Sequence, residues 1–91
     1  MQAFFSYDFT PYREVFPELP DAQLKTFVLY GQFYKVENIA LKLDISVTTV
    51  YEHLNRVKEK HNITSLFELR LMFSSRTECH LLRKIDALLN I

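Results

Sequence analysis

Leu24, Phe27 and Val28 recur at i, i+3 and i+4, and the rule repeats in Val36, Ile39, Ala40 and Leu43 and again in Val50, Leu54 and Val57. Spacings of three and four return a side chain to the same side of an α-helix, so each group predicts a helix with one buried stripe. Asp21, following Pro20, is suited to cap the first helix, and Gly31 to stop it. Asp44 tolerates a left-handed backbone and can end the second. Ser46 is a good N-cap for the third, with Thr48 and Thr49 harmless in its first turn. Ser65 and Glu68 then form a capping-box pattern before LFELRLMF, a fourth helix from Ser65 to Phe73. Ser75 and Glu78 repeat that pattern before TECHLLRKIDALLN, where Leu81, Leu82, Ile85, Leu88 and Leu89 give a fifth helix an apolar face too wide to leave wet.

Upstream of these helices lies an aromatic arm, residues 1–18, with Phe4, Phe5, Tyr7, Phe9, Tyr12 and Phe16 punctuated by Pro11 and Pro17. Ala3, Phe5, Tyr7 and Phe9 alternate with period two, which allows a short extended segment. Two uses of the rings stay open: covering a thin core, or offering a surface to a second subunit or another protein.

Composition sharpens the helical expectation. The chain has 91 residues, enough for one small domain, and is 48% hydrophobic. One Gly and three Pro are too few for the tight turns of an all-β fold. Cys79 is the only cysteine, so no intramolecular disulfide can form, and a reducing, cytoplasmic setting is expected. No run approaches the ~18 to 20 apolar residues of a membrane span, and MQAFFSYDFTPY makes a poor signal peptide because Asp8 interrupts it. Catalysis is not expected: no phosphate-binding glycine loop and no activated nucleophile stand out. His53, His61, His80 and Cys79 lack metal-ligand spacing, so neither a metal nor another cofactor is expected.

The densest information lies in IALKLDISVTTVYEHLNRVKEK, Ile39 to Lys60. Two helices joined only by Asp44, Ile45 and Ser46 must cross steeply, which leaves one protruding, the layout of a helix-turn-helix. Opposite the buried stripe of the third helix stand Thr48, Glu52, Asn55 and Glu59, flanked by Tyr51 and Arg56. A helix so presented fits the DNA major groove. Overall charge argues mildly the other way, because eleven basic and eleven acidic side chains cancel. The acidic surplus is nevertheless at the N-terminus, in Asp8, Glu14, Glu18 and Asp21, away from that helix.

Over Leu19 to about Phe73 the chain resembles the LuxR/FixJ-type DNA-binding domain of bacterial transcription regulators. The resemblance is carried by Leu19, Phe27 and Leu29, then Ile39-Ala40 and Leu43, Ile45-Ser46, Thr49-Val50, His53, Arg56-Val57, Lys60, Ile63, Ser65 and Glu68-Leu69. It departs from the family at Pro20, at Ala22-Gln23, where an Arg-Glu pair is usual, and at His61, where Leu is usual. Phe33 and Asp44 stand where the family has glycines.

The resemblance implies an all-α, four-helix LuxR-type helix-turn-helix bundle over residues 19–73, with an extra C-terminal amphipathic helix over 74–91. It implies that Thr49 is among the DNA-binding residues and that Tyr51, Glu52 and Asn55 reach the bases. Thr48, Arg56 and Lys58 would be backbone clamps, with Lys35 and Lys60 further out. Asn can pair with adenine and Glu can accept from the cytosine amino group. It also implies a homodimer through the fourth helix, with Leu66, Leu69, Arg70 and Phe73 as candidates. The leucine-rich helix, with Leu81, Leu82, Ile85, Leu88 and Leu89, would either extend that contact or pack back as core. A regulator of double-stranded DNA is the leading expectation, with no room in 18 residues for the family's usual sensing domain. The alternatives are a module that binds another regulatory protein and a relative of the sigma-factor promoter-recognition domain, which shares the "IA" and "IS..TV" elements. The match continuing to Glu68-Leu69 favours the LuxR type over the last.

Overall fold

The computed structural model describes residues 8–90. Five helices follow in order: α1 (Thr10–Val15), α2 (Asp21–Gly31), α3 (Val36–Leu43), α4 (Val47–Lys60) and α5 (Leu66–Leu89), with no strand among the described residues. The expected extended run from Ala3 to Phe9 lies, apart from Asp8 and Phe9, outside the described residues.

Helix α2 is the centre. Its Leu24, Phe27 and Val28 are buried as expected, but so are Thr26, Leu29, Tyr30 and Gly31. This helix is wrapped by its neighbours rather than laid on them by one stripe, and all four other helices touch it or its partners. The Thr26 hydroxyl, fully buried, donates to the Ala22 carbonyl at 2.9 Å and so brings no unsatisfied group inside. Around α2 an aromatic cluster closes the core. Phe16 meets Phe27 edge-on at 5.0 Å and stacks on Phe73 at 5.9 Å, while Phe73 meets Phe27 edge-on at 5.6 Å. Part of the aromatic arm is therefore core: Val15 and Phe16 are buried, and Phe9 and Tyr12 pack against them.

Three helices end by one device. Phe33, Asp44 and Asn62 take left-handed φ of 71°, 57° and 55°. The next residue then bonds back to a carbonyl five positions earlier: Tyr34 to Leu29 at 3.2 Å, Ile45 to Ala40 at 3.0 Å, Ile63 to Lys58 at 2.9 Å. Tyr34, Ile45 and Ile63 each fold onto the core as they do so. Asp44 thus ends α3 as its chemistry suggests. Phe33 is the costly member, because a bulky residue is rarely left-handed. Arg70 offsets that cost. Its Nε donates to the Tyr30 carbonyl at 2.8 Å and its guanidinium lies 3.8 Å from the Tyr30 ring centre and 4.7 Å from that of Phe33.

Several expectations need correction. Gly31 does end α2, but not by a left-handed backbone; it has Phe73 against it, so that a Cβ there would sit 2.3 Å from Phe73 Cγ. Asp21 does not cap α2 but occupies its first turn, where it pairs with Arg13. Ser75 starts no helix. No Gly or Pro lies between Leu66 and Leu89, and α5 runs through in 24 residues, so the boundary drawn at residue 73 falls inside a helix. Leu69 and Phe73, offered as dimer contacts, are 0% and 6% exposed in the chain's own core and cannot meet another subunit. Arg70 is held by the α2–α3 turn and Leu66 is half-buried. The far half of α5 does not pack back as core: every residue from Leu81 to Asn90 is exposed.

Candidate functional site

Helix α4 is built to be held on one side and open on the other. Ser46 caps it, its hydroxyl oxygen accepting from the Thr49 N–H at 3.0 Å. Such a cap is worth about 1 kcal/mol. Val50, Leu54 and Val57 are fully buried against the core, at 0% exposure each. That stripe fixes the roll of the helix, and Thr48, Tyr51, Glu52, Asn55, Arg56 and Glu59 consequently face solvent. No hydrogen bond or ion pair engages the Glu52, Asn55 or Arg56 side chains within the described chain. Val47 joins this open side at 39% exposure and Tyr51 at 42%, so its first turns carry an apolar shoulder beside Asn55. Val47 went unnoticed in the sequence because its apolar character reads as an ordinary first-turn residue.

The basic candidates divide. Arg56 is exposed and Lys35 is exposed at the start of α3. Lys58 is half-buried. Lys60 is drawn back toward the chain, its Nζ donating to the Glu18 carbonyl at 2.9 Å. His53 is half-buried on the flank of α4, beside a cavity of about 340 Å³ that it shares with Asp21, Lys25, Leu43 and Ile45.

The C-terminal end of α4 is anchored by a cluster that sequence reasoning missed. Glu18, in the α1–α2 connection, accepts from Arg76 on both oxygens at 2.7 and 2.8 Å, and its Oε2 also lies 2.7 Å from His61 Nε2. The other His61 ring nitrogen faces the Val57 carbonyl at 2.9 Å, so only the doubly protonated ring donates to both acceptors. Arg76 also sits 4.8 Å from the Phe16 ring centre. Partial burial works to raise the Glu18 carboxyl, but the hydrogen bonds from Arg76 and His61 outweigh it and hold the carboxyl down at about 2. One side chain thereby ties the end of α4 to the middle of α5. Its partners stand 43 and 58 residues away in the chain, and no local pattern marks such a pairing.

Further along, Glu14 of α1 receives Lys84 at 2.7 Å and lies 3.5 Å from His80. The hydrogen bond from Lys84 holds the Glu14 carboxyl below the usual range. Lys84 is the furthest residue of α5 in an ion pair with another helix among the described residues. Among the described residues no three His, Cys, Asp or Glu side chains converge on a metal position, and no helix is long and apolar enough to cross a membrane. No protein-family model, no curated protein and no solved structure matches this chain.

Proposed function

We propose that the protein is a transcription regulator of LuxR type that binds duplex DNA through α4, two copies sharing a two-fold site. The observation that carries this reading is the open polar side of α4, with Glu52, Asn55 and Arg56 exposed and unpaired, on a helix joined to α3 by three residues. Asn55 and Glu52 have the donors and acceptors to read base edges in a major groove, and Thr48, Arg56 and Lys58 flank them to hold phosphates. The two left-handed residues at Phe33 and Asp44 support the family reading as well. They stand where that family has glycines, the residue type that takes such a backbone without strain.

The test is selection of duplexes from a random pool, followed by fluorescence anisotropy across a salt series. The expected affinity falls steeply with salt, with a log–log slope of roughly −3 per subunit for the three available cations, Arg56, Lys58 and Lys35. Asn55→Ala relaxes base preference, at a cost on the order of 1–3 kcal/mol for its preferred site. Arg56→Ala weakens binding to all sequences alike. Binding that ignores salt, or that loses no selectivity in Asn55→Ala, sinks the proposal.

A second reading has its own observation. Glu52 and Glu59 lie on the same open side as Tyr51, and two carboxylates near phosphates oppose binding. A module that docks on another regulatory protein through this face would show no duplex affinity at any salt, and Tyr51→Ala would abolish capture of that protein.

A further inference from the structure

The first turn of α4 carries no charge. Val47, Thr48, Thr49 and Val50 open the helix, and the Thr49 hydroxyl is hydrogen-bonded to that of Ser46 at 2.9 Å. Val50 is buried, which leaves Val47 and Thr48 facing water there. Tyr51 follows Val47 by four residues and so stands over it on the same side of the helix. The two are 39% and 42% exposed, whereas every other exposed side chain from Thr48 to Glu59 is polar. The roll fixed by Val50, Leu54 and Val57 sets this pair beside the stripe of Thr48, Glu52 and Asn55, on the flank away from Arg56. Helix propensity does not call for Val47, since β-branched residues are among the poorer helix formers.

The apolar edge is small. Its two side chains leave on the order of 150 Å² in water, against the ~800 Å² that each partner gives to a specific protein interface. A patch of that size fits a single apolar group. Its place on the helix narrows the group further. Recognition helices meet base edges with their N-terminal residues, and among the four bases only thymine offers the major groove an apolar group, its 5-methyl.

We infer that Val47 and Tyr51 seat the 5-methyl group of a thymine and so add a requirement for that base beside the one read by Asn55. The inference rests on the duplex-binding reading of α4. It also places the thymine. At 1.5 Å per residue, Tyr51 lies about 6 Å and Val47 about 12 Å before Asn55 along the helix axis. Bases along a strand are about 3.4 Å apart, so in a helix lying along the groove the thymine falls within about four base pairs of the adenine. A methyl contact engages no phosphate, and its contribution is therefore independent of salt.

The experiment takes the tightest duplex from the random-pool selection and replaces its thymines by uracil one at a time, which deletes only the methyl. Fluorescence anisotropy should show a loss of roughly three- to fivefold at one position within about four base pairs of the Asn55 adenine, the worth of one buried methyl. In Val47→Ala, thymine and uracil at that position should bind alike, with the salt slope and the melting temperature of the parent chain. Tyr51→Phe keeps the ring and should keep the preference. 5-Methylcytosine carries the same methyl on another base, and a duplex with it at that position that outbinds thymine overturns the thymine assignment. Equal affinity for thymine and uracil at every position, or a preference that survives Val47→Ala, also overturns it. Salt-dependent binding without that discrimination sinks this inference alone, whereas absence of duplex binding sinks the reading beneath it as well.

Discussion

Helices α4 and α5 each keep one side in water, and the two sides have opposite chemistry. On α4 the open side is polar and mixed in charge, and the opposite side is locked by Val50, Leu54 and Val57. On α5 the first half is locked into the core by Leu69 and Phe73, whereas the second half is tied only at the surface, by Glu14 to His80 and Lys84, and exposes Leu81, Leu82, Ile85, Leu88 and Leu89. Exposure therefore has two meanings in one small molecule. A polar face on a fixed helix is stable as it stands and can wait for a partner. An apolar face left in water is a deficit that burial would remove.

The sharpest way to break this contrast is to cut both halves of α5. Phe73→Ala removes a ring that touches Phe16, Phe27 and Gly31, and should cost about 3–5 kcal/mol by denaturant unfolding. Leu88→Ala, at 70% exposure, should change unfolding of the dilute monomer by less than about 0.5 kcal/mol. Equal effects would show that the tail is core after all.

Next in size is the link between the helices. The Glu18 carboxyl sits at about 2 in the folded chain against an ordinary 4.5. A lowered value means that its contribution, roughly 3 kcal/mol, is fully present above pH ~4.5 and disappears as pH falls toward 2. Glu18→Gln should flatten that acid limb and destabilise the protein by roughly 1–3 kcal/mol at neutral pH, since Arg76 and His61 lose the negative charge and one of two acceptor oxygens. A pH profile unchanged by the substitution would remove Glu18 as the tie between α4 and α5.

The smallest effect concerns the start of α4. Ser46→Ala removes the cap on Thr49 N–H and should cost about 1 kcal/mol. Hydrogen exchange should place the loss in the first turn of α4 and leave α5 untouched.

Much of the α3–α4 unit was legible because its determinants are local. The stripe Val50, Leu54, Val57, the Ser46 cap and the left-handed Asp44 all act within a few residues of themselves. Reading failed where a local pattern has two uses. Ser75 followed by Glu78 resembles a helix start, yet the same spacing is an ordinary pair inside a helix, and nothing between Leu66 and Leu89 breaks the chain. Gly31 does end α2 as read, yet the ring of Phe73, 42 positions on, is what requires glycine there. Left-handed Phe33 was unreadable for a similar reason. Its cost is offset by Arg70, on another helix. For the candidate site, the open side of α4 followed from periodicity alone, whereas the Glu18 cluster and the occupation of Lys60 needed the folded chain.

The shared left-handed endings of α2, α3 and α4 leave no slack chain between Asp21 and Ile63. Whatever meets α4 therefore meets a finished shape, with no loop left to order at the moment of contact and no entropy lost in ordering one. Such a surface is intolerant of poor fit: it cannot bend toward a mismatched target, and a single inserted residue in any of the three turns would misaim everything downstream.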